Sequence, residues 1–386
     1  MTPMAVSRFD LPFSQFAVEG LRSRLERTRW CDDAPDETWE YGFDRQFFKD
    51  ICAYWGHEFD WKAKVEWLSS FQHFRFDWEG GRNHFIHERG KGPTPMPLIL
   101  THGWPGSFVE MMRVIPLLTD PAAHGGDPAD AFDVVVPSLP GYGFSDKPTS
   151  RGMNSFGIAN LWARLMQALG YERFAAQGGD IGAGVTTVLG LRHAEHVIGI
   201  HLNYIPGSYR PYITDETELT QEEHSFLAEA ARWNENNGAY AHLQGTRPQT
   251  AAVALNDSPA GLAAWMLEKF REWSDCDGDL YRSFTRDELL TNISLYWMTQ
   301  TIDSSFRLYY ENRRAPLHFE QNEFVQPPCA VARFPKEILS PPREWVERGY
   351  NVQRWTNMPH GGHFAAAEEP DLLAEDIRTF FRGLRK

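Results

Sequence analysis

A carboxylate lies at the centre of a glycine-rich turn in this chain. The stretch QGGDIGAG runs from Gln177 to Gly184, and Asp180 occupies the central position of a pattern typical of a sharp strand-to-helix turn. In most such turns the central residue is Ser, which needs a base to activate it. An unperturbed aspartate is ionised at neutral pH, so it can attack an electrophilic carbon directly and form an ester. For this stretch alone, a helix-capping Asp in a glycine turn is an equal alternative.

A second loop could supply backbone N–H groups to that carboxylate. THGWPGS, from Thr101 to Ser107, follows a short apolar segment and has the His-Gly-x-Pro pattern of a loop that faces such a turn. We expect the amides of Trp104 and Ile181 to form an oxyanion hole, which would act on the ester carbonyl of Asp180 during hydrolysis. We also expect Trp104, Pro105 and Ile181 to line the substrate site. Alone, the pattern is also compatible with a plain strand-end turn.

A histidine near the C-terminus occupies the position of a general base. His363 lies in HGGHFAAAEEP after the last predicted strand, and His360 is its rival. Glu337 in RFPKEIL follows the preceding strand, so the chain order is nucleophile, acid, histidine. Glu337 would fix the tautomer of His363 and stabilise its imidazolium form. Three other carboxylates are weaker choices, the first two because we expect them to be exposed helix charges: Glu344, Glu347 and Asp303.

Alternating strands and helices must position these residues. Apolar strands that run into loops are predicted in PLILTHGWPGS and FDVVVPSLPGYGFSDKP, and further strands are predicted at RFAAQGGD, VIGIHLNYIPG, CAVARF and NVQRWTNMP. The helices between them carry apolar residues on one face, and we expect three such faces to pack inward: Phe108, Met111, Met112, Ile115 and Leu118; Ile158, Leu161, Trp162, Leu165 and Leu169; and Leu373, Ile377, Phe380 and Phe381. This alternation predicts an α/β protein whose parallel sheet has helices on both faces.

Four regions are predicted along the chain. Residues 1–90 contain two helix-like segments, RSRLERTRW and FDWKAKVEWLSSF, and a β-hairpin at FQHFRFDWEGGRNHFIHERG. Residues 91–207 form the first part of the α/β core, and residues 315–386 form the second part. Between them, residues 208–314 are mostly helical and lack strand alternation. Ligands in open α/β sheets bind beyond the carboxyl ends of the strands, so this insertion would cover the site.

The composition excludes several classes of protein. A net charge of −14 argues against nucleic acid or an anionic membrane as the main partner. No apolar run is long enough to span a bilayer, and the N-terminus lacks the pattern of a signal peptide. The cysteines form no C-x-x-C pair and are expected to be reduced, mostly packed thiols of a cytoplasmic protein rather than a metal site or disulfide framework: Cys31, Cys52, Cys276 and Cys329.

Several of these motifs together resemble one family. The turn around Asp180, HGWPG, NDSPAGLAAWMLEKFREW and GGHFAAAEEPDLLAEDI are similar to those of the microsomal-type epoxide hydrolases of the α/β-hydrolase superfamily. The resemblance covers nearly the whole chain, including FDLPFSQ and RLERTRW near the N-terminus. It implies an α/β-hydrolase fold with a mostly parallel central sheet, a helical cap and an N-terminal meander. Since the membrane-anchoring helix of some relatives is absent, the chain looks like a soluble, bacterial-type member.

The resemblance also implies roles for two tyrosines. NGAYAHLQGTRPQT matches the first lid tyrosine of the family at Tyr240, and SSFRLYYEN matches the second at Tyr309, with Tyr310 as the alternative. Without the family, core packing would be the better explanation of either one. Many members carry Trp directly after the nucleophile, whereas this chain has Ile181. The backbone amide keeps its role, but the pocket floor should differ.

The implied activity is the opening of an epoxide to a vicinal diol without a metal or organic cofactor. The substrate would be an apolar or aryl epoxide, met in detoxification or, as for some bacterial relatives, in secondary metabolism such as enediyne or other polyketide antibiotic biosynthesis. A homodimer is implied by family likeness alone. Three alternatives are a haloalkane dehalogenase, a serine esterase, which the absence of Ser at the turn disfavours, and a non-catalytic binding protein on the same fold.

Overall fold

The computed structural model describes residues 5–32, 39–215 and 218–385. Small parts of the predicted regions 1–90, 208–314 and 315–386 therefore lie outside the described residues. The division into four regions stays a prediction. Within the described part, strands and helices follow one another as the sequence analysis expected, and the helical stretch between the two parts of the core contains no named strand.

One sheet of nine strands forms the centre of the described structure. Its order is β1-β2-β3-β5-β4-β6-β7-β8-β9. The first three strands run antiparallel to their neighbours, and the other six are parallel to one another. The bounds are β1 Val6–Arg8, β2 His73–Trp78, β3 Gly81–Glu88, β4 Met96–Thr101, β5 Phe132–Pro137, β6 Phe174–Gly178, β7 Val197–Leu202, β8 Val325–Arg333 and β9 Tyr350–Asn357.

The central strands are buried over their full length because helices cover both faces of the sheet. Every residue of β5 and β6 is buried, as expected for parallel strands packed on both sides. The α-helices are α1 Gln15–Glu26, α2 Arg45–His57, α3 Trp61–Leu68, α4 Val114–Thr119, α5 Ser155–Ala168, α6 Asp180–Arg192, α7 Gln221–Asn237, α8 Ala239–Thr246, α9 Pro248–Asp257, α10 Pro259–Trp273, α11 Arg286–Thr299, α12 Ile302–Asn312, α13 Arg343–Glu347, α14 Ala365–Glu368 and α15 Pro370–Arg382.

The predicted hairpin is confirmed, and it belongs to the central sheet. Strand β3 pairs with β2 on one side and with β5 on the other. The segment after β4 differs from the prediction of one continuous α-helix, because Phe108–Arg113 is a 3₁₀ helix and only α4 is α-helical. Pro116 explains the break, since it lacks the N–H that an α-helix would bond to the carbonyl of Met112. The predicted apolar residues are nevertheless buried.

The N-terminal helices hold the helical insertion in place over the sheet. Helices α1 and α2 pack on α10, and α3 packs on α11. The indole N–H of Trp55 donates a buried hydrogen bond of 2.8 Å to the hydroxyl of Ser294 in α11, and the hydroxyl of Tyr54 donates to Asp287. The α10 and α11 part of the insertion is thus fixed from outside by the N-terminal region.

The described chain carries no helix of the length and apolarity that a bilayer crossing needs. The expected burial of most cysteines is confirmed. Cys52, Cys276 and Cys329 are buried, Cys31 is exposed, and all four are free thiols.

A chain of buried histidines links β2, β3 and the end of β5. The Nε2 of His73 lies 2.8 Å from the carbonyl oxygen of Leu68, its Nδ1 lies 2.8 Å from Nε2 of His84, and Nδ1 of His84 lies 2.8 Å from the hydroxyl of Ser138. Since a carbonyl can only accept, His73 donates to Leu68, His84 donates to His73, and Ser138 donates to His84. Every ring nitrogen is satisfied only while both rings are neutral. Burial lowers the pKa of His73 and lowers that of His84 well below its usual range.

These two histidines should make the protein acid-sensitive. Below about pH 6.5 the unfolded chain binds protons that the folded chain rejects, so stability falls as the pH decreases and is fully present above that value. Each fully excluded proton contributes about 1.4 kcal/mol per pH unit. We expect His84→Gln to flatten the decline in the free energy of unfolding between pH 6.5 and 5, measured by urea titration. The exposed His57 provides a control substitution, His57→Gln. Equal slopes for His84→Gln and wild type would contradict the assignment.

Candidate active site

The turn between β6 and α6 holds Asp180 in a conformation that few side chains adopt. Its φ is +47°, in the left-handed region, a strain typical of functional turns. Glycine is required at two flanking positions, because backbone atoms lie too close there to admit a Cβ atom. A Cβ at Gly178 would lie 2.3 Å from the carbonyl oxygen of Gly182, and a Cβ at Gly182 would lie 2.0 Å from the carbonyl oxygen of Thr101. The turn therefore presses against the end of β4 and presents the carboxylate beyond the sheet.

The loop after β4 brings one backbone donor to the carboxylate. The N–H of Trp104 donates to Oδ1 of Asp180 at 2.8 Å. The loop is held by α11, because the side-chain amide of Asn292 donates to the carbonyl of Pro105 at 2.8 Å and the hydroxyl of Tyr296 donates to that of Gly106 at 2.6 Å. Two residues of the insertion thus fix the position of the Trp104 amide.

Ile181 stands directly after Asp180 in the first turn of α6 and is partly buried. The first amides of a helix have no carbonyl partner within the helix, so the Ile181 N–H is free of intrahelical bonding. The peptide bond between Trp104 and Pro105 is cis. The expected contacts of Trp104, Pro105 and Ile181 with substrate stay a prediction.

His363 and Glu337 meet beside the carboxylate. Nδ1 of His363 lies 2.5 Å from Oε1 of Glu337, and Nε2 lies 3.3 Å from Oδ2 of Asp180. The backbone N–H of His363 donates to the carbonyl of Trp273 at 2.8 Å, and the Trp273 ring contacts the imidazole edge to face. Since Glu337 is the hydrogen-bond partner of Nδ1, the nitrogen that faces Asp180 is Nε2.

The rivals of these two residues lie elsewhere. His360 pairs with Glu369 and is largely exposed. Asp303 binds Lys147 at 2.7 Å. Glu347 pairs with Arg343 on α13, and Glu344 lies on the same short helix.

The electrostatic environment favours a charged His363. Burial alone would lower the pKa of His363. The negative charges of Glu337 and Asp180, and the hydrogen bonds that both make to the imidazole, outweigh burial and raise this pKa well above its usual value. The carboxylates of Glu337 and Asp180 therefore favour the protonated imidazole. Removing the charge of Asp180 therefore lowers the pKa of His363, because that charge is one of the causes of the raised value.

The two predicted lid tyrosines lie together, next to Trp104. The ring of Tyr240 stacks on the Trp104 indole at 5.5 Å, Tyr309 contacts the same indole at 5.7 Å, and the two phenol rings are 5.9 Å apart. Burial, and then the charge of Asp180 among other groups, raises the pKa of both phenols, so both keep their protons. Tyr310 lies apart from this group, with the guanidinium of Arg314 over its ring at 3.3 Å.

Sequence reasoning missed several residues around this group. Tyr204, just after β7, contacts the His363 ring edge to face at 5.4 Å. The ammonium of Lys269 lies 5.0 Å from the centre of the Tyr240 ring, where a cation stabilises the π-face and any negative charge on the phenol. Asn292 and Tyr296 hold the loop of Trp104. Only Tyr204 had a usable signal, since it lies near the carboxyl end of the predicted strand VIGIHLNYIPG, whereas the observed strand β7 ends at Leu202.

Comparisons with known proteins show the family of the chain. The family model "Epoxide hydrolase N terminus" matches residues 6–111, and the model "alpha/beta hydrolase fold" matches residues 96–272. A Stigmatella aurantiaca protein named "Putative epoxide hydrolase" is 44% identical over 98% of this chain and 86% of its own length. "Epoxide hydrolase 1" of Oryctolagus cuniculus is 40% identical over 97% of this chain and 88% of its own.

The chain belongs to the epoxide hydrolase family. Solved structures agree: Aspergillus niger epoxide hydrolase superposes with a TM-score of 0.86 at 27% identity, covering 99% of this chain and 97% of that one. The juvenile hormone epoxide hydrolase of the silkworm Bombyx mori also gives a TM-score of 0.86, at 28% identity, over 99% and 95% of the two chains. The expected α/β-hydrolase fold is confirmed, and the protein is an epoxide hydrolase of that superfamily.

The charge coupling between Asp180 and His363 can be measured directly. We expect Asp180→Asn, which removes the charge but keeps the shape, to move the titration midpoint of His363 to lower pH, because the anion that favours the imidazolium is gone. Side-chain ¹⁵N NMR of the two proteins reports this midpoint, with the exposed His57 as an internal reference. An unchanged midpoint for His363 would show that Asp180 does not set its protonation.

Proposed function

We propose that this epoxide hydrolase works in two half-reactions through an ester on Asp180. One observation carries the proposal. Oδ1 of Asp180 accepts the N–H of Trp104, while Oδ2 faces Nε2 of His363 at 3.3 Å, and Glu337 binds the far side of the same imidazole. One oxygen is thus held as the future carbonyl oxygen and the other is available to attack. A base stands beside the carbon that water must reach.

In the first half-reaction the two phenols hold the epoxide oxygen and Oδ2 attacks a ring carbon from the opposite side. The bond between that carbon and the epoxide oxygen breaks as the new C–O bond to Asp180 forms. One phenol, of Tyr240 or Tyr309, gives its proton to the departing oxygen and becomes a phenolate. Both phenols carry the proton to be donated, because burial raises their pKa.

The second half-reaction begins with the loss of charge at Asp180. The ester is neutral, so the pKa of His363 falls, and the proton that His363 releases restores the phenol. Neutral His363 then takes a proton from water as the water oxygen attacks the ester carbonyl. The amides of Trp104 and Ile181 stabilise the oxyanion. The diol oxygen leaves with the proton from His363, and the new carboxyl of Asp180 gives its own proton to His363, which regenerates the starting state.

For the substrate we propose an apolar or aryl epoxide. Aromatic rings surround the predicted position of the epoxide, including Trp273 at 6.3 Å and Phe306 at 5.9 Å from the Trp104 indole, and such rings bind apolar groups well. A role in detoxification or secondary metabolism is part of the same proposal. A higher kcat/KM for small polar epoxides than for styrene oxide would contradict the apolar class. The homodimer and the cytoplasmic location stay predictions.

His363→Gln should trap the ester. The first half-reaction does not need His363 as a base, whereas hydrolysis does, so a stoichiometric adduct with styrene oxide should accumulate on the peptide that contains Asp180. Intact-protein and peptide mass spectrometry detect it. Asp180→Ala should form no adduct and no diol. Full turnover by Asp180→Ala would end the covalent scheme. A single turnover of wild type in H₂¹⁸O should leave the label in the carboxylate of Asp180, not in the diol.

The two lid tyrosines should control the first half-reaction. We expect Tyr240→Phe and Tyr309→Phe each to slow ester formation by about 10²- to 10⁴-fold, since each removes a positioned proton donor or hydrogen bond. Stopped-flow tryptophan fluorescence follows that step. Tyr310→Phe is the matched control in the same helix turn and should change it less than about 3-fold. A larger loss for Tyr310→Phe than for Tyr309→Phe would reverse the assignment.

A further inference from the structure

A small cavity lies against Asp180 and His363 without contact to either lid tyrosine. Its walls also include His102, Glu110 and Asn203, and neither Tyr240 nor Tyr309 belongs to its lining. The cavity has room for a water molecule but not for an epoxide with substituents. The position matters because the ester carbonyl of Asp180 and the base His363 both face this space.

Glu110 contributes a carboxyl to this cavity that has no partner in the protein. Within the described ranges, no donor or cation lies within bonding distance of its side chain. The carboxyl folds back over the loop of Trp104, and Oε1 lies only 1.1 Å from where a Cβ of residue 106 would be. Gly106 thus leaves the space that this side chain occupies. Glu110 is only partly buried, and a carboxyl that makes no hydrogen bond within the described protein is free to bind a water molecule.

Glu110 also reaches the outside. It is the residue shared by the cavity and an outer groove between α3, α11 and the 3₁₀ helix, whose lining includes Lys64, Arg113, Asp287 and Glu288. The Glu110 side chain therefore stands between the cavity beside His363 and this groove.

We propose that Glu110 binds the hydrolytic water of the second half-reaction in this cavity. The proposal rests on the ester mechanism above and adds to it a binding group for the water. The water molecule transfers one proton to Nε2 of His363 as its oxygen bonds to the ester carbon. The carbonyl oxygen of Glu110 accepts the other O–H, so the oxygen lone pair is aimed at the ester. That second proton stays on the new carboxyl until His363 takes it, and Glu110 neither gains nor loses a proton.

The state of Glu110 fits this role. Burial raises the pKa of Glu110 to about 8. The charge of His363 opposes this rise, and the charges of Asp180 and Glu368 add to it. At neutral pH the carboxyl is therefore uncharged, and it does not oppose the oxyanion that forms on Asp180. Above that pH a second negative charge would disfavour the oxyanion. The other histidine and charged side chains that line these two spaces are His102 in the cavity and, in the groove, Lys64, Arg113, Arg286, Asp287 and Glu288.

Two substitutions at one position separate water binding from packing. Glu110→Gln keeps the carbonyl acceptor and should hydrolyse the ester within about 3-fold of wild type, whereas Glu110→Leu keeps the volume but removes the acceptor. We expect Glu110→Leu to slow ester hydrolysis by about 10- to 100-fold while ester formation is unchanged. Rapid-quench mass spectrometry on styrene oxide measures both rates, and the ester should accumulate at steady state in Glu110→Leu. Glu66→Gln, which removes an exposed carboxyl on α3 far from the cavity lining, is the control and should leave both rates unchanged.

The pH profile gives a second readout, which does not depend on the leucine variant folding. Ester hydrolysis by wild type should decline above about pH 8, the pKa of Glu110, and Glu110→Gln should lack this decline. Equal slowing of both half-reactions in Glu110→Leu, or the same alkaline decline in Glu110→Gln, would overturn the role of Glu110. That result is distinct from failure of the ester mechanism, in which no adduct forms in wild type or in His363→Gln.

Discussion

The negative charge of Asp180, held between a backbone N–H and an imidazole, is the interaction on which the rest of the site depends. The turn can present this carboxylate only with a left-handed φ of +47° and with residues small enough to pass the end of β4. The sheet provides the other requirement. The neighbouring strands β4, β6, β7 and β8 run parallel, so the loops after them end at one edge. Trp104, Asp180 and Glu337 come from three of those loops.

The same charge orders the chemistry in time. While Asp180 is an anion, it helps to keep His363 protonated, and an imidazolium cannot activate water. Under the proposed mechanism, esterification removes the anion and so converts His363 into a base at the step that needs one. No movement of the protein is required for this change, because the imidazole already lies within 3.3 Å of Asp180 and is held by Glu337 and the backbone of Trp273.

The sequence predicted the parts of the site that have a local pattern. Asp180 and His363 lie in glycine-rich turns, and Glu337 follows a strand, so type, spacing and chain order identified all three. Tyr240 and Tyr309 came from the family resemblance, because a tyrosine on a helix has no local sign that distinguishes a proton donor from a core residue. Asn292 and Glu110 could not be predicted, since each acts through a contact that only the folded chain creates.

Helix α11 links the stability of the N-terminal region to the geometry of the oxyanion site. On one side it receives Trp55, whose indole N–H is satisfied only by Ser294. On the other, Asn292 holds the carbonyl of Pro105 next to the Trp104 amide. A shift of α11 by one ångström would distort these hydrogen bonds and displace the loop of Trp104, and a misplacement of this size can cost about 10²-fold in catalytic rate. The N-terminal region therefore does more than cover the core. It maintains the helix that positions a backbone donor in the active site.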